Sequence, residues 1–287
     1  MYHFQTFLIP MSLTIQQALN KIQSLIAAAI QKDGGAGKRN VIRSSEPILN
    51  IHDAVKSELQ NQGIAADRII PSFGHRNPEM KLSGALKQKN QDVCVVPDGL
   101  GHQLETLIGG FLDGNADVYG KEFTEKTMAI NVRSQLSSIQ KNFDTLFERT
   151  MFEAANLHER CPKMCLGEVY MIAAPEFDDQ ADDSNAVGFK TPNKSLVEKY
   201  LKSFNSINNR TDTGKDFYKY ERVCLLIVDF TQNPPKLYNS TAELKNAGLL
   251  SQDSTASIDS LTWDNFIKSL LEVYRERFES NEVEEKL

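Results

Sequence analysis

Long apolar runs are missing from this 287-residue sequence. No stretch reaches the roughly 18 consecutive apolar residues that a membrane-spanning helix requires, so no such helix is predicted. Residues 1–10 are mildly apolar but lack a basic start and a small-residue cleavage site, which argues against a signal peptide. Apolar residues make up 40% of the chain and charged residues 24%, an ordinary balance for a globular protein with a sizeable core.

Cysteine is scarce, with four residues in the whole chain. Cys94 and Cys224 lie inside apolar runs and are expected to be buried thiols. Cys161 and Cys165 are separated by three residues and have no second pair, which is a weak signal for zinc. Reduced thiols and the lack of a signal peptide predict a cytoplasmic protein that does not associate with a membrane.

Several signatures of enzyme families are also missing. The sequence contains no G-x-S-x-G elbow, no phosphate-binding loop and no dinucleotide fingerprint. Its five histidines lack the spacing of metal ligands. An unrelated α/β enzyme, such as a nucleotide-sugar transferase, is therefore a hypothesis that still needs a nucleotide site.

An excess of positive charge, which favours binding to nucleic acid, is absent because the net charge is −6. The charge is distributed unevenly along the chain. Residues 176–183 carry five acids and no base. Residues 68–91 carry one acid, Glu79, and five basic residues: Arg68, Arg76, Lys81, Lys87 and Lys89. An acidic protein with such a basic segment remains compatible with DNA binding.

The N-terminal part of the chain is predicted to be helical. Apolar residues recur at helical spacing over residues 13–30, and the glycine-rich residues 34–37 are predicted to form a linker. Ser45 and Pro47 are typical of the start of a second helix. We therefore expect a helical arm over residues 1–43 and a second domain over residues 44–287.

The rest of the sequence predicts a sheet with flanking helices. Four short apolar runs are typical of buried strands: 93–96, 128–133, 165–174 and 223–230. Two longer segments have helical spacing: 136–158 and 262–278. Residues 98–126 are predicted to be irregular, and residues 176–216 are expected to be a long polar excursion. The order of these elements predicts an α/β fold with a central mixed β-sheet flanked by helices.

Polar residues near two of these strands are candidates for chemistry. Asp92 follows the basic segment and heads a buried strand, where a carboxylate can hold a hard cation rigidly. Alternation along the next strand puts Asn131, Arg133 and Gln135 on one face, opposite Val132. The alternatives are that Asp92 only marks the start of a strand and that the next strand is an edge strand with one wet face.

These features resemble the PD-(D/E)XK nuclease superfamily, to which most type II restriction enzymes belong. In that superfamily an acid opens one core strand, and the next core strand carries an acid, one spacer residue and a Lys before a helix begins. Asp92 matches the first acid, Asn131-Val132-Arg133 matches the triplet, and residues 136–142 match the start of the helix. The resemblance covers residues 44–230 and implies a restriction-endonuclease-like core.

The triplet departs from the family pattern, because Asn131 is not an acid and Arg133 is not a Lys. An Arg stays protonated, so it can stabilise negative charge but cannot act as a base. A second candidate, Glu79-Met80-Lys81, is a literal E-x-K twelve residues after Asp67, although no apolar strand leads into it. Sites built on Asp92 or on Asp67 therefore both remain open, and Glu79 could also lend its carboxylate to a cation at Asp92.

The resemblance implies a sequence-specific double-stranded DNA endonuclease, a type II site-specific deoxyribonuclease with Mg²⁺ as its cofactor. Asp92 and a glutamate of the preceding helix, Glu46 or Glu58, would hold the cation. Arg133, Lys81 or a nearby Lys would stabilise the phosphate in the transition state. The candidate DNA contacts come from the basic segment: Arg76, Lys87 and Lys89.

The same resemblance implies partners. A palindromic target site implies a homodimer, and a cognate DNA methyltransferase would be a genetic rather than a physical partner. Residues 98–126 and 176–216 are long enough to be recognition loops. The alternative hypothesis is a catalytically inactive DNA-binding protein on a nuclease-like core, for which Asn131 and Arg133 would be the signature.

Overall fold

The computed structural model describes residues 12–178 and 184–279. Its strands, in chain order, are β1 (Ile69–Ile70), β2 (Met80–Ser83), β3 (Gln88–Gln91), β4 (Val93–Val95), β5 (Glu105–Thr106), β6 (Ala116–Asp117), β7 (Met128–Gln135), β8 (Leu166–Ala173), β9 (Arg222–Asp229) and β10 (Lys236–Leu237). Its α-helices are α1 (Ile15–Arg43), α2 (Glu46–Asn61), α3 (Lys121–Lys126), α4 (Ile139–Arg160), α5 (Lys194–Ser206), α6 (Thr241–Asn246) and α7 (Trp263–Phe278).

A six-stranded mixed sheet with the order β1-β4-β7-β8-β9-β10 forms the centre of the molecule. Strands β1, β4 and β7 pair antiparallel, β7, β8 and β9 pair parallel, and β10 closes the sheet antiparallel to β9. The four strands expected from the sequence are β4, β7, β8 and β9, which are adjacent in the sheet. The predicted α/β architecture with a central mixed sheet flanked by helices is therefore confirmed.

Helices cover both faces of the sheet. On one face, the ring of Tyr170 on β8 contacts the rings of Tyr200 and Phe204 on α5. On the other face, a Cβ added at Gly167 would approach Leu270 and Phe266 of α7 to 3.0 Å or less. The residues of β8 are all buried, because a strand between two helical layers has no wet face.

The chain breaks at Gly34 as predicted, but residues 35–37 are helical and do not form the predicted linker. Helix α1 continues to Arg43 across a kink at Asp33 and Gly34, where Gly34 adopts a φ of 57° that favours glycine. Gly37 packs so closely that an added Cβ would lie 2.1 Å from the carbonyl oxygen of Ala29. Gly34 thus interrupts the helix at the kink, and Gly37 allows a close approach of backbone within the helical part that follows.

Helix α1 packs along α2 and is part of the same core. Its side chains at Leu19, Ile22, Ile26 and Ile30 are fully buried in one continuous apolar cluster. Residues 1–11 of the expected N-terminal arm lie outside the described residues. The described part of the arm therefore buries its apolar face against the second predicted domain.

Several shorter elements were not predicted. The polar excursion 176–216 contains α5, and the irregular segment 98–126 contains the β5-β6 hairpin and α3. The basic segment contains the β2-β3 hairpin, whose first strand begins directly after Glu79. None of the helices in the described residues is both long and apolar enough to cross a membrane.

Candidate functional site

Asp92 lies between β3 and β4, where the central sheet opens beside β7. The pairing of β4 with β7 extends only to Val93 and Ile130. Beyond that point, Oδ2 of Asp92 accepts a hydrogen bond of 2.8 Å from the backbone N–H of Val132. The Asp92 carboxylate is half-buried and replaces a missing strand partner, which fixes it at the edge of β7.

Glu168 on β8 lies beside Asn131 on β7. The two residues are direct partners in the parallel pairing of these strands, so their side chains point to the same face of the sheet. Glu168 is fully buried. Position 131 itself carries an amide, and the adjacent strand places a carboxylate directly beside it.

Arg133 joins two buried acids on this face. Its guanidinium donates to both oxygens of Glu168 and to Glu153 of α4, and Glu153 also accepts from the Lys89 ammonium. Lys89, Asp92, Arg133, Glu153 and Glu168 are called the charge cluster below. The two glutamates lie at its base, and Lys89, Asp92 and Arg133 are partly exposed at its mouth.

The environment of the cluster changes the pKa values of two members. Burial raises the pKa of Glu168 to about 7, against the opposing effect of Arg133 and with a further contribution from the Asp92 carboxylate. Burial alone would lower the pKa of Arg133, but the neighbouring acids, Glu168 foremost, raise it above its ordinary value. Arg133 therefore stays charged, and Asp92 is close enough to act on both side chains.

The carboxylates of the charge cluster are the groups that could bind Mg²⁺. No group of three or more His, Cys, Asp or Glu side chains is arranged to hold a metal ion in residues 12–178 and 184–279. Mg²⁺ usually needs only one or two protein carboxylates, with water and substrate phosphate completing its shell. The cluster contains two candidate carboxylates: Asp92, of which one oxygen accepts from Val132, and Glu168, of which both oxygens accept from Arg133.

Gln135 shares the face of Asn131 and Arg133, as predicted, but its amide is occupied by other groups. Its NH₂ donates to the carbonyls of Ser138 and Ile139, and its oxygen accepts from the hydroxyls of Tyr170 and Tyr200. Gln135 is buried away from solvent. These contacts fix the turn from β7 into α4.

The second candidate triplet lies on the neighbouring hairpin. Lys81 is exposed on β2 and pairs with Asn90 of β3. Burial raises the pKa of the Cys94 thiol, and the carboxylates of Asp92 and Glu79 raise it further, which places both acids near Cys94. Asp67 lies in a short 3-10 turn before β1. Glu79 is thus the member of this triplet that approaches Asp92.

The predicted metal ligand Glu46 is exposed in the first turn of α2, at a cavity of about 640 Å³ between α1 and α2.

Helix α2 also brings His52 towards Asp92. Burial lowers the pKa of His52, and the Asp92 carboxylate opposes that shift. Nε2 of His52 is buried without a hydrogen-bond partner in the described part of the chain. The helix therefore faces the site with an imidazole, which the spacing of the histidines did not indicate.

The predicted DNA contacts occupy different positions. Arg76 and Lys87 are exposed, and Arg76 donates a hydrogen bond of 2.6 Å to the hydroxyl of Ser45. Arg76 also lowers the pKa of His52, so it lies within electrostatic reach of that imidazole. Lys89 is instead partly buried against Glu153. Arg76 and Lys87 are free to meet a ligand from solvent, whereas Lys89 belongs to the charge cluster.

Comparison with known proteins gave no relative. No protein-family model, curated protein or solved structure matches this chain.

Proposed function

We propose that this protein is a Mg²⁺-dependent endonuclease that cuts double-stranded DNA at specific sites, as type II restriction enzymes do. The observation that carries the proposal is the position of Glu168, directly beside Asn131 on the adjacent strand. A carboxylate from β8 can replace the acid that the triplet lacks at position 131. Together with Asp92 it gives the two-carboxylate set that a magnesium nuclease needs.

The order of the core elements supports a restriction-endonuclease-like core. Helix α2 precedes three antiparallel strands, β1, β4 and β7, and helix α4 then leads to the parallel strand β8. In the PD-(D/E)XK pattern, an acid opens one core strand and the triplet lies on the next. The positions of Asp92 before β4 and of Asn131 on the neighbouring strand β7 are compatible with this pattern.

The residues of the charge cluster have distinct roles in this proposal. Asp92 and Glu168 would hold Mg²⁺, which when bound polarises a phosphate oxygen and lowers the pKa of a water. Arg133 and Lys89 at the mouth would stabilise the negative charge that develops on the phosphate during cleavage. Arg133 also keeps Glu168 in place, since its guanidinium contacts both carboxylate oxygens.

DNA binding would use the exposed basic residues Arg76 and Lys87. The recognition of bases is assigned to the segment 176–216, of which residues 179–183 lie outside the described residues, and to the parts of the segment 98–126 that flank its β5-β6 hairpin. A palindromic target would be cut by a homodimer, and a cognate DNA methyltransferase would protect the host genome.

A pair of variants tests the role of Glu168. Glu168→Gln should lower the rate of plasmid cleavage with Mg²⁺ by at least about a hundredfold, because it removes a charged ligand of the metal. Glu153→Gln is the matched control, since Glu153 is also a buried acid bound to Arg133. It should lower the melting temperature but keep cleavage within about tenfold of the wild type.

The comparison of the two variants decides between structure and chemistry. If cleavage falls in both variants in proportion to their loss of stability, Glu168 is structural and the Mg²⁺ site lies elsewhere. Binding of a duplex measured by fluorescence polarisation should stay within about tenfold in both variants, because phosphate contacts outside the cluster dominate affinity.

A catalytically inactive DNA-binding protein is the second candidate. The departures at Asn131 and Arg133 favour it, because no Lys of the triplet is present to assist the attacking water. Specific binding of a duplex without any cleavage in Mg²⁺ would support this candidate over the endonuclease.

A further inference from the structure

The β5-β6 hairpin has the reverse of the usual polarity. Its ladder pairs Glu105 with Asp117 and continues outward through a hydrogen bond from the N–H of Gln103 to the carbonyl of Tyr119. Alternation then places five uncharged residues on one face: Leu104, Thr106, Ile108, Ala116 and Val118. All five are exposed, and they are called the hairpin face below.

The acids of the hairpin are engaged within the chain. Asp117 is buried and accepts from the guanidinium of Arg160 at 2.6 Å, and Glu105 lies 3.6 Å from the same group. At the tip, Asp113 accepts from the backbone N–H of Gly109 at 2.6 Å. A surface strand normally buries its apolar side and exposes its charged side. In this hairpin the uncharged hairpin face is exposed to solvent instead.

The exposed apolar side chains are concentrated in this segment. Eight large apolar side chains are exposed in the described residues, and four of them belong to the hairpin. The exposed fractions are 72% for Leu104, 94% for Ile108, 83% for Phe111 and 55% for Val118. The bulk of each of these side chains is therefore available to a partner.

Hydrogen bonds hold the backbone of the hairpin that carries these side chains. The N–H of Leu107 donates to Asn115 at 2.8 Å, and the N–H of Gly114 donates to Leu107 at 2.9 Å. At its base, Gln88 of β3 donates to the carbonyl of Ala116 at 2.7 Å. A preorganised apolar surface loses little conformational freedom on binding, which favours association.

The chemistry of the hairpin disfavours DNA as its occupant. Residues 103–120 contain three acids and no Lys or Arg, so they offer no cation to a phosphate backbone. Asp117 and Glu105 contact the guanidinium of Arg160 and lie on the opposite side of the ladder from the uncharged hairpin face. An uncharged face of this kind suits another uncharged apolar face.

The area available is sufficient for self-association. A fully exposed large apolar residue has a surface area on the order of 200 Å². The exposed fractions of the four residues then give an apolar area of about 600 Å² per chain, which is near the upper limit for an apolar patch on a monomer. Two such patches together bury about 1,200 Å², the lower limit of a specific interface. A second copy of this chain therefore meets the requirement without another protein.

We propose that the hairpin face of one copy packs against the hairpin face of a second copy, with Phe111 at the tips completing the interface. The contact is self-complementary and generates a closed two-fold dimer. It depends on the exposed side chains of the hairpin and not on the endonuclease activity.

Sedimentation of the full chain at micromolar concentration tests the proposal. The wild type should sediment at twice the chain mass of 32.3 kDa. Ile108→Ser combined with Phe111→Ser should raise the dissociation constant of the dimer at least about a hundredfold, because these are the most exposed apolar anchors. The circular dichroism spectrum should be unchanged, since neither side chain is buried in the core.

Tyr218→Ser is the matched control, because Tyr218 is an exposed large apolar residue outside the hairpin and its loss should leave the dimer intact. A wild type that sediments at 32.3 kDa overturns the proposal. A dimer that survives the Ile108 and Phe111 substitutions overturns it equally, since its interface then lies on another surface.

Discussion

Asp92→Asn should lower the rate of DNA cleavage with Mg²⁺ by at least about a thousandfold, because it removes the charge of the best-placed cation ligand. The asparagine retains a side-chain oxygen that can accept from the N–H of Val132, so the edge of β7 should keep its structure. Duplex binding should stay within about tenfold of the wild type. Cleavage rates under single-turnover conditions, together with a binding isotherm, measure both effects.

Asp98→Asn is the control for this variant, because Asp98 is an exposed acid in the loop directly after the same strand. Its cleavage rate should equal that of the wild type. An Asp92→Asn enzyme that cuts at the wild-type rate would move the metal site to the β2-β3 hairpin, where Glu79 and Lys81 become the leading candidates.

Glu221→Gln should lower the free energy of unfolding by about 3–5 kcal/mol, because it leaves buried cations without their counter-charge. The Glu221 carboxylate is fully buried and accepts from Arg210 at 3.0 Å, Arg277 at 2.9 Å and the N–H of Leu166 at 2.7 Å. It also lies 3.4 Å from Nε2 of His158. It therefore ties α4, α7 and the start of β8 together.

The same group gives the stability a defined pH dependence. Burial alone would raise the pKa of Glu221, but His158, Arg277 and the N–H of Leu166 together lower it to about 2. Since the folded pKa lies below the unfolded value, this contribution is fully present above pH 4.5 and is lost as the pH falls towards 2. The shift corresponds to about 3 kcal/mol.

Urea denaturation of the wild type and Glu221→Gln at several pH values checks this result. The difference in unfolding free energy should be largest near neutral pH and should shrink as the pH falls from 5 to 3. Glu159→Gln, an exposed acid on α4, should differ from the wild type by less than about 0.5 kcal/mol. If the difference in unfolding free energy between the wild type and Glu221→Gln does not change with pH, that result contradicts the lowered pKa of Glu221.

The central elements of the fold could be predicted from the sequence because their patterns are strong. The buried strands β4, β7, β8 and β9 are continuous apolar runs, and α4 and α7 keep helical spacing over several turns. These patterns depend only on burial against the core, which the sequence encodes locally. The mixed central sheet followed from their order.

The shorter elements could not be predicted, for different physical reasons. Strand β3 is the polar sequence QKNQ, which is held by pairing with β2 and not by an apolar face of its own. Helix α5 begins inside a polar segment, and its buried residues Tyr200, Leu201 and Phe204 become informative only once the sheet is known. The glycines of α1 were misinterpreted because close backbone packing and a flexible linker favour the same residue.

The candidate site was predicted in part. Asp92 was identified by its position before a buried strand, and the shared face of Asn131 and Arg133 followed from alternation. Glu168 was recognised only as part of a strand, although a single acid inside the apolar run CLGEVYMIAA is itself a signal of function or of ion pairing. Glu153 carried no such signal, because an acid on a long helix is usually solvated.

Incubation of unmethylated phage DNA with the purified protein tests the central claim most directly. In Mg²⁺ the wild type should give a set of discrete bands, and the same protein in EDTA should leave the DNA intact. Discrete bands require both hydrolysis of the backbone and recognition of a sequence, which are the two parts of the proposed function. Intact DNA in Mg²⁺, or cleavage that EDTA does not prevent, would contradict a magnesium endonuclease built on Asp92 and Glu168.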